Sequence, residues 1–167
     1  MRKRITRTIA ALAFAAAAAS PFVDAETKAN PAWEKMKTLV GAWEGREGDQ
    51  PVSVTYTLVS NGTSLMESLT GEHDTNMVTM YAPDGDGIVA THYCAMGNQP
   101  RMRAKPGSDP NTLDFQFVDA TNVQDSNDHL MRRLVVTFKD GNHFQQAWTD
   151  RANGKEQTAD FVYTRKK

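Results

Sequence analysis

The sequence predicts an all-β protein: an antiparallel up-and-down barrel of about ten strands with one short N-terminal helix. From residue 43 to residue 164, apolar and polar residues alternate in short segments that are separated by turn residues. Three of the turns contain an Asn-Gly or Asp-Gly pair, at residues 61–62, 140–141 and 153–154, and such pairs are typical of hairpin loops. Many short strands in meander order favour closure into a barrel, because closure leaves no strand edge exposed. A two-sheet sandwich is the alternative.

The first 25 residues have the three parts of a secretory signal peptide. Four basic residues lie between positions 2 and 7, an alanine-rich apolar stretch covers residues 9–19, and Val23 and Ala25 are the small residues that precede a cleavage site. The apolar stretch is too short to cross a bilayer core, which needs about 20 residues. We therefore expect residues 1–25 to be removed after Ala25, residues 26–167 to form the barrel domain, and the protein to be periplasmic or secreted.

Charge and cysteine content restrict the partners and the source of stability. Residues 1–25 carry four of the 19 basic and one of the 20 acidic residues, so the rest of the chain has a formal charge of −4. An acidic chain is a poor partner for nucleic acid or for an anionic membrane surface. Cys94 is the single cysteine and forms no intramolecular disulfide, so the fold must rest on its hydrophobic core. A lone thiol of this kind is more often buried and inert than reactive.

The helix is predicted over residues 31–39. Asn30 is a suitable N-cap, and Pro31 falls at the first helical position, where a missing N–H costs nothing. Trp33, Met36 and Val40 lie three and four residues apart and form one apolar stripe. We expect this stripe to close one end of the barrel.

The strands are predicted from period-two alternation. In residues 52–59, for example, four apolar residues share one face. The stretch 122–130 is polar and would hold a helical turn or a lid over the barrel. The predicted strands cover residues 43–47, 52–59, 65–70, 77–81, 88–95, 102–105, 113–118, 134–138, 144–148 and 159–164, and the four apolar residues are Val52, Val54, Tyr56 and Leu58.

The densest polar segment is residues 91–103. Alternation places His92 and Cys94 on one strand face and Arg101 and Arg103 on one face of the next strand. If both faces point inward, a histidine, a thiol and two guanidinium groups would converge on an anionic or carbonyl-bearing ligand. The alternative is that the arginines face water and His92 bonds to the backbone.

Glu67 is the second candidate, because it interrupts an apolar row between Leu65 and Leu69. A carboxylate that points into a core must be paired or have a raised pKa, and Arg101 or Arg103 would be its natural partner. If the two leucines face outward, Glu67 is simply solvated. Four aromatic residues would line an apolar cavity or belong to an ordinary core: Tyr56, Tyr81, Trp148 and Phe161.

Other kinds of site have little support in the sequence. The four histidines have no metal-ligand spacing, so we predict no metal. The Gly-x-Ser-x-Gly motif of serine hydrolases is absent. Cys94 lies two residues from His92 in the same strand, an arrangement that rarely gives a nucleophile and its base.

Three segments carry a family resemblance: Leu39–Gly45 (LVGAWEG), Met80–Asp86 (MYAPDGD) and Thr91–Met102 (THYCAMGNQPRM). They resemble a group of secreted bacterial proteins of unknown function with lipocalin-like (calycin-type) barrels. The Gly-x-Trp-x-Gly opening is similar to that of lipocalins, fatty-acid-binding proteins and nitrobindins, which implies that Trp43 packs across the barrel floor. Nitrobindins hold haem through a histidine in the last strand, where this sequence has Ala159–Tyr163, so no cofactor is expected. Haem remains the alternative that a Soret absorbance band would reveal.

These observations together predict an exported barrel that binds a small, partly apolar ligand in its interior. The polar contacts would be Glu67, His92, Arg101 and Arg103, with Cys94 nearby and with Tyr56 and Trp148 as walls. One alternative is a small hydrolase- or isomerase-type enzyme that uses Glu67 and His92 as an acid–base pair, with an arginine stabilising developing charge. A structural or partner-binding barrel is the third possibility. The sequence does not indicate the oligomeric state.

Overall fold

The computed structural model describes residues 30–71, 76–125 and 129–167; the expected signal peptide lies outside them. The described chain forms one α-helix, ten β-strands and a short 3-10 turn at Ser60–Gly62. Among the described residues, no helix has the length and apolar character of a membrane span. The elements are α1 (Pro31–Lys37), β1 (Gly41–Glu47), β2 (Gln50–Val59), β3 (Ser64–Thr70), β4 (Asn76–Asp84), β5 (Gly87–Tyr93), β6 (Gln99–Ala104), β7 (Thr112–Thr121), β8 (Leu130–Phe138), β9 (His143–Ala152) and β10 (Lys155–Arg165).

The strands close into one antiparallel barrel. Each strand pairs with its neighbours in sequence, and β1 pairs with β10 to complete the ring. The closing ladder runs from Trp43 opposite Arg165 to Glu47 opposite Phe161. The prediction of an all-β, ten-stranded up-and-down barrel with a short helix is therefore confirmed, and the sandwich alternative is wrong.

Helix α1 closes one end of the barrel, as predicted. The Asn30 side chain accepts a hydrogen bond from the Trp33 backbone N–H (2.9 Å) and donates to the carbonyls of Gly85 (3.2 Å) and Gly87 (2.8 Å). It therefore caps the helix and fastens it to the β4–β5 turn.

The apolar face of this segment differs from the predicted stripe at one position. Trp33, Met36 and Leu39 are buried, whereas Val40 is 40% exposed. The helix ends at Lys37, so the helical period does not continue to residue 40, and Leu39 enters the core instead. Leu58 is likewise 38% exposed at the end of β2, while the other three residues of its predicted row are buried.

An aromatic cluster fills the barrel on the side of α1. Trp43 packs edge-on against Phe144 at 4.7 Å between ring centroids, and Phe144 stacks on Tyr163 at 4.7 Å. The indole N–H of Trp43 donates to the Leu39 carbonyl (2.7 Å). The Trp43 ring thus lies at the floor of the barrel, beside the chain that leaves α1. Such aromatic pairs stabilise a core beyond the area they bury.

The three predicted turns adopt different geometries. Asn153 and Gly154 form a two-residue loop with φ of 50° and 76°, as predicted for a primed hairpin turn. Asn61-Gly62 lies in a longer turn in which Ser60 also has positive φ (51°). Residues 139–142 form the β8–β9 connection, which is longer than two residues.

Two strand ladders have an irregular register in the half of the barrel away from α1. Val118 is skipped in the β6–β7 register, and Arg132 is skipped in the β8–β9 register. Bulges of this kind bend a strand and occur at barrel rims. Between β7 and β8 the paired residues end at Gln116 opposite Arg133, although both strands continue further towards this end.

Candidate functional site

A cavity of about 230 Å³ lies inside the barrel at the end opposite α1. It is smaller than the pockets that hold drug-sized ligands. At about 30 Å³ per water molecule, its volume corresponds to roughly eight waters or one small organic molecule. Its walls are Glu47, Glu67, Leu69, Met77, Thr79, His92, His129, Met131, Trp148, Asp150, Ala159 and Phe161.

A row of inward-facing side chains crosses four adjacent strands beside this cavity. Tyr56 on β2 is paired with Glu67 on β3, Glu67 with Thr79 on β4, and Thr79 with His92 on β5. All four residues are buried. The antiparallel register therefore places a phenol, a carboxyl, a hydroxyl and an imidazole side by side.

Glu67 accepts three hydrogen bonds on one carboxyl oxygen. The hydroxyls of Tyr56 (2.8 Å) and Tyr81 (2.6 Å) and the Gln146 amide (3.0 Å) all donate to its Oε2. The same Gln146 amide also donates to the Tyr56 hydroxyl (2.9 Å). Oε1 has no hydrogen-bond partner among the described residues, and Glu67 is part of the cavity wall.

Burial raises the pKa of Glu67, while the hydrogen bonds from Tyr81, Tyr56 and Gln146 oppose the shift. In the described part of the chain, no cationic side chain contributes to its pKa. Burial also raises the pKa values of Tyr56 and Tyr81, and the nearby carboxylate adds to this effect. Both phenols therefore remain protonated and serve as donors. The carboxyl is held by neutral groups alone.

His92 lies on the cavity wall with one ring nitrogen free. Its Nδ1 is 2.9 Å from the Thr79 hydroxyl, and its ring packs against Trp148 with centroids 4.9 Å apart. Its Nε2 is buried and has no hydrogen-bond partner in the described part of the chain. Burial lowers the pKa of His92 to about 4, so the imidazole is neutral at neutral pH.

The rim of the cavity carries a second pair of polar residues. His129 Nε2 lies 2.7 Å from Asp150 Oδ2, and Asn98 donates to the His129 carbonyl (2.7 Å). Glu47 completes the polar part of the rim. None of the described residues that line the cavity is a lysine or an arginine.

The structure brings together four of the predicted site residues. Glu67, His92 and Trp148 line the cavity, and the Tyr56 hydroxyl donates a hydrogen bond to Glu67. The inward direction of Glu67 agrees with its place in an apolar row, and the alternative in which it is solvated is wrong.

The expected convergence of the arginines on this site is wrong. Arg101 lies on the outer surface in a bidentate pair with Asp119, and Arg103 lies on the same surface and pairs with Asp84. The reason is that Met102 takes the inward position between them and is fully buried. The partners of Glu67 are tyrosines and a glutamine instead.

Cys94 is also apart from the cavity. It follows the last residue of β5 and is partly buried, and it is not one of the wall residues. Its backbone N–H donates to the Asn98 carbonyl (3.1 Å) in the turn between β5 and β6. The strand ends before the alternation could carry its side chain inward beside His92.

Sequence reasoning missed five polar residues of the site: Glu47, Thr79, His129, Gln146 and Asp150. Gln146 had a visible signal, because it is the polar residue between Phe144 and Trp148 on one strand face. His129 directly precedes β8 and Asp150 lies near the end of β9, so the pairing of these two strands brings the side chains together. No group of three or more histidine, cysteine or acidic side chains with metal-site geometry occurs in the described ranges.

The fold and cavity define the class of the protein as a closed ten-stranded antiparallel barrel with a small interior site at one end. The sequence matches no protein-family model and no curated protein. Its fold is similar to the crystal structure of Rv2717c from M. tuberculosis, with a TM-score of 0.58, 13% identity, and coverage of 82% of this chain and 98% of the other. At this identity the likeness shows the fold alone. The resemblance to lipocalin-like barrels stays a sequence-based prediction.

Proposed function

We propose that the protein binds a small, partly apolar molecule in the cavity at the end of the barrel opposite α1. The observation that carries this proposal is a buried polar atom without a partner among the described residues, His92 Nε2, on a mainly apolar cavity wall that also carries the Glu67 carboxyl. Leaving a buried polar group without a partner costs about 1–3 kcal/mol. A ligand that forms a hydrogen bond with His92 Nε2 removes that cost while it buries its apolar part against Trp148 and Phe161.

A fragment screen by ¹H–¹⁵N NMR tests this proposal, using neutral molecules of about ten non-hydrogen atoms, a size set by the cavity volume. Binders should move the indole signal of Trp148. The indoles of Trp33 and Trp43 lie near α1 and should not move. If no fragment moves the Trp148 signal, the proposal fails.

A matched pair of variants locates the binding. Ala159→Phe puts a ring into the cavity wall and should abolish the shifts. Val162→Phe adds the same kind of side chain on the outer face of the same strand, where residue 162 is 51% exposed, and should leave the shifts intact. Binding that survives Ala159→Phe would place the ligand elsewhere.

An acid–base enzyme is the second candidate. The specific observation in its favour is that Glu67 and His92 line one cavity while their pKa values are displaced in opposite directions, Glu67 upward and His92 downward. A carboxyl with a raised pKa in the same cavity as a neutral imidazole is an arrangement suited to proton transfer. If a fragment found by NMR is converted over time, Glu67→Gln should stop conversion while binding persists. Conversion at the wild-type rate in that variant would exclude this role for Glu67.

We propose further that the protein acts after export, in the periplasm or outside the cell. The basic start, the short apolar stretch and the small residues up to Ala25 support this location. Mass spectrometry of the protein recovered from a bacterial periplasm should give a chain that begins at residue 26. A cytoplasmic chain that retains residues 1–25 would contradict the proposal.

A further inference from the structure

The charge pattern of the cavity restricts what it can bind. Its acidic wall residues are Glu47, Glu67 and Asp150, and no lysine or arginine faces it among the described residues. His92 is held neutral by burial, so it does not offset these charges at neutral pH. An anionic ligand would therefore enter a negative, partly desolvated site, which costs free energy.

Glu67 is a buried carboxyl that has no cationic partner among the described residues. Its three partners, Tyr56, Tyr81 and Gln146, are uncharged donors, and all of them bind Oε2. Buried carboxylates in proteins are normally paired with a cation as well as hydrogen-bonded. The bonds on Oε2 fix the carboxyl plane, so Oε1 is the oxygen left for a group in the cavity.

The apolar walls also suit a cation. Trp148 and Phe161 present aromatic surface to the cavity beside Glu67. Aromatic faces attract organic ammonium groups, and the attraction grows when the groups are shielded from water.

We infer that the cavity binds a small organic cation, an apolar amine whose ammonium group takes Glu67 Oε1 as its counter-ion. The inference rests on the proposed function, because it requires the cavity to hold a ligand. It adds the ligand class: a protonated amine with one aromatic or aliphatic body. His92 Nε2 is placed to bind a second polar group of the same molecule.

Three probes of nearly equal size test the ligand class: 2-phenylethylamine, 2-phenylethanol and phenylacetate. Their affinities are measured at pH 7 from the Trp148 indole shift. The wild-type protein should bind the amine at least about tenfold more tightly than the alcohol, since a charge-assisted hydrogen bond is roughly twice as strong as a neutral one. Phenylacetate should bind more weakly than the alcohol.

Glu67→Gln identifies the counter-ion. Glutamine keeps an oxygen that can accept from the two tyrosines and Gln146, so the variant should fold, and its amine preference should disappear. Glu44→Gln removes the same charge from an exposed position on β1 and should keep the preference. A preference that persists in Glu67→Gln would overturn the inference.

The pH dependence gives an independent readout. Amine affinity in the wild type should fall as the pH drops and Glu67 takes up a proton, whereas in Glu67→Gln this loss should be absent or much smaller. Affinity for the alcohol should not fall in this way. Other titratable groups also face Glu67 or the cavity, so their titration must be followed by NMR in the same experiment. They are Tyr56, Tyr81, Tyr163, His92, Glu47, His129 and Asp150.

The outcomes separate the two proposals. Equal binding of amine and alcohol, or tighter binding of phenylacetate, refutes the cationic ligand and leaves the ligand-binding function standing. If none of the three probes moves the Trp148 signal while neutral fragments do, the inference alone fails. If neither the probes nor the fragments move it, both fail.

Discussion

Replacing Glu67 by leucine should destabilise the barrel strongly, because Glu67 is the common acceptor of three buried donors. Gln146 keeps its bond to the Tyr56 hydroxyl (2.9 Å), so the groups left without an acceptor are the hydroxyls of Tyr56 and Tyr81. At about 1–3 kcal/mol for each unsatisfied buried group, the free energy of unfolding should fall by about 2–6 kcal/mol.

Glu67→Gln is the matched control, since its amide oxygen replaces Oε2 as acceptor. Burial raises the pKa of Glu67 above that of the unfolded chain, so its contribution is greatest at low pH and is lost as the pH rises through the folded-state pKa. Relative to the wild type, the glutamine variant should therefore gain stability as the pH rises through that value.

Urea unfolding followed by tryptophan fluorescence measures both effects, at pH 7 for the leucine variant and across pH 4–8 for the glutamine variant. Equal stability of Glu67→Leu and the wild type would refute the importance of the three-donor arrangement. A glutamine variant that loses stability relative to the wild type as the pH rises would refute the direction of the pKa shift.

Three further perturbations test other parts of the structure. His92 should titrate near pH 4 by NMR. Because the unfolded chain takes up this proton near pH 6.5, the wild type should lose about 3 kcal/mol of stability as the pH falls from 6.5 to 4. The His92→Gln variant should lose less stability over the same pH range. A His92 pKa near 6.5 would contradict its burial. Asn30→Ala removes both the cap of α1 and the bonds to the β4–β5 turn, and should cost about 1–3 kcal/mol in urea unfolding; an unchanged midpoint would show that the helix is not held by Asn30. Gly45→Ala places a Cβ 2.4 Å from the Val162 carbonyl oxygen, so its melting temperature should fall clearly, whereas an unchanged melting temperature would show that the β1–β10 ladder can yield.

The fold was predictable because it depends on local signals. Alternation and turn residues mark the strands, and a run of strands joined by short connections has few ways to pair other than with its sequence neighbours. The inward face of Glu67 was predictable for the same reason, since Leu65 shares its face and is fully buried.

The partners of Glu67 were only partly predictable. Tyr56 is 11 residues away in the neighbouring strand, so a hairpin brings the two together. Gln146 is 79 residues away and reaches Glu67 across the closed barrel, which no local pattern reveals. Alternation shows which residues of a strand share a face, but it does not show which face points into the barrel. In β6 the face that carries Met102 points inward and is buried, so Arg101 and Arg103 point outward.

Because α1 closes one end of the barrel, the residues at the other end can be substituted more freely. The helix, Trp43 and the aromatic cluster stabilise the end of the barrel that faces away from the cavity. We therefore expect that exchanging wall residues such as Leu69, Met77 and Met131 for apolar side chains of similar volume costs little stability. The protein is thus suited to laboratory evolution: libraries at these positions should yield folded barrels with altered ligand preference, while Glu67 keeps the orientation of its carboxyl group.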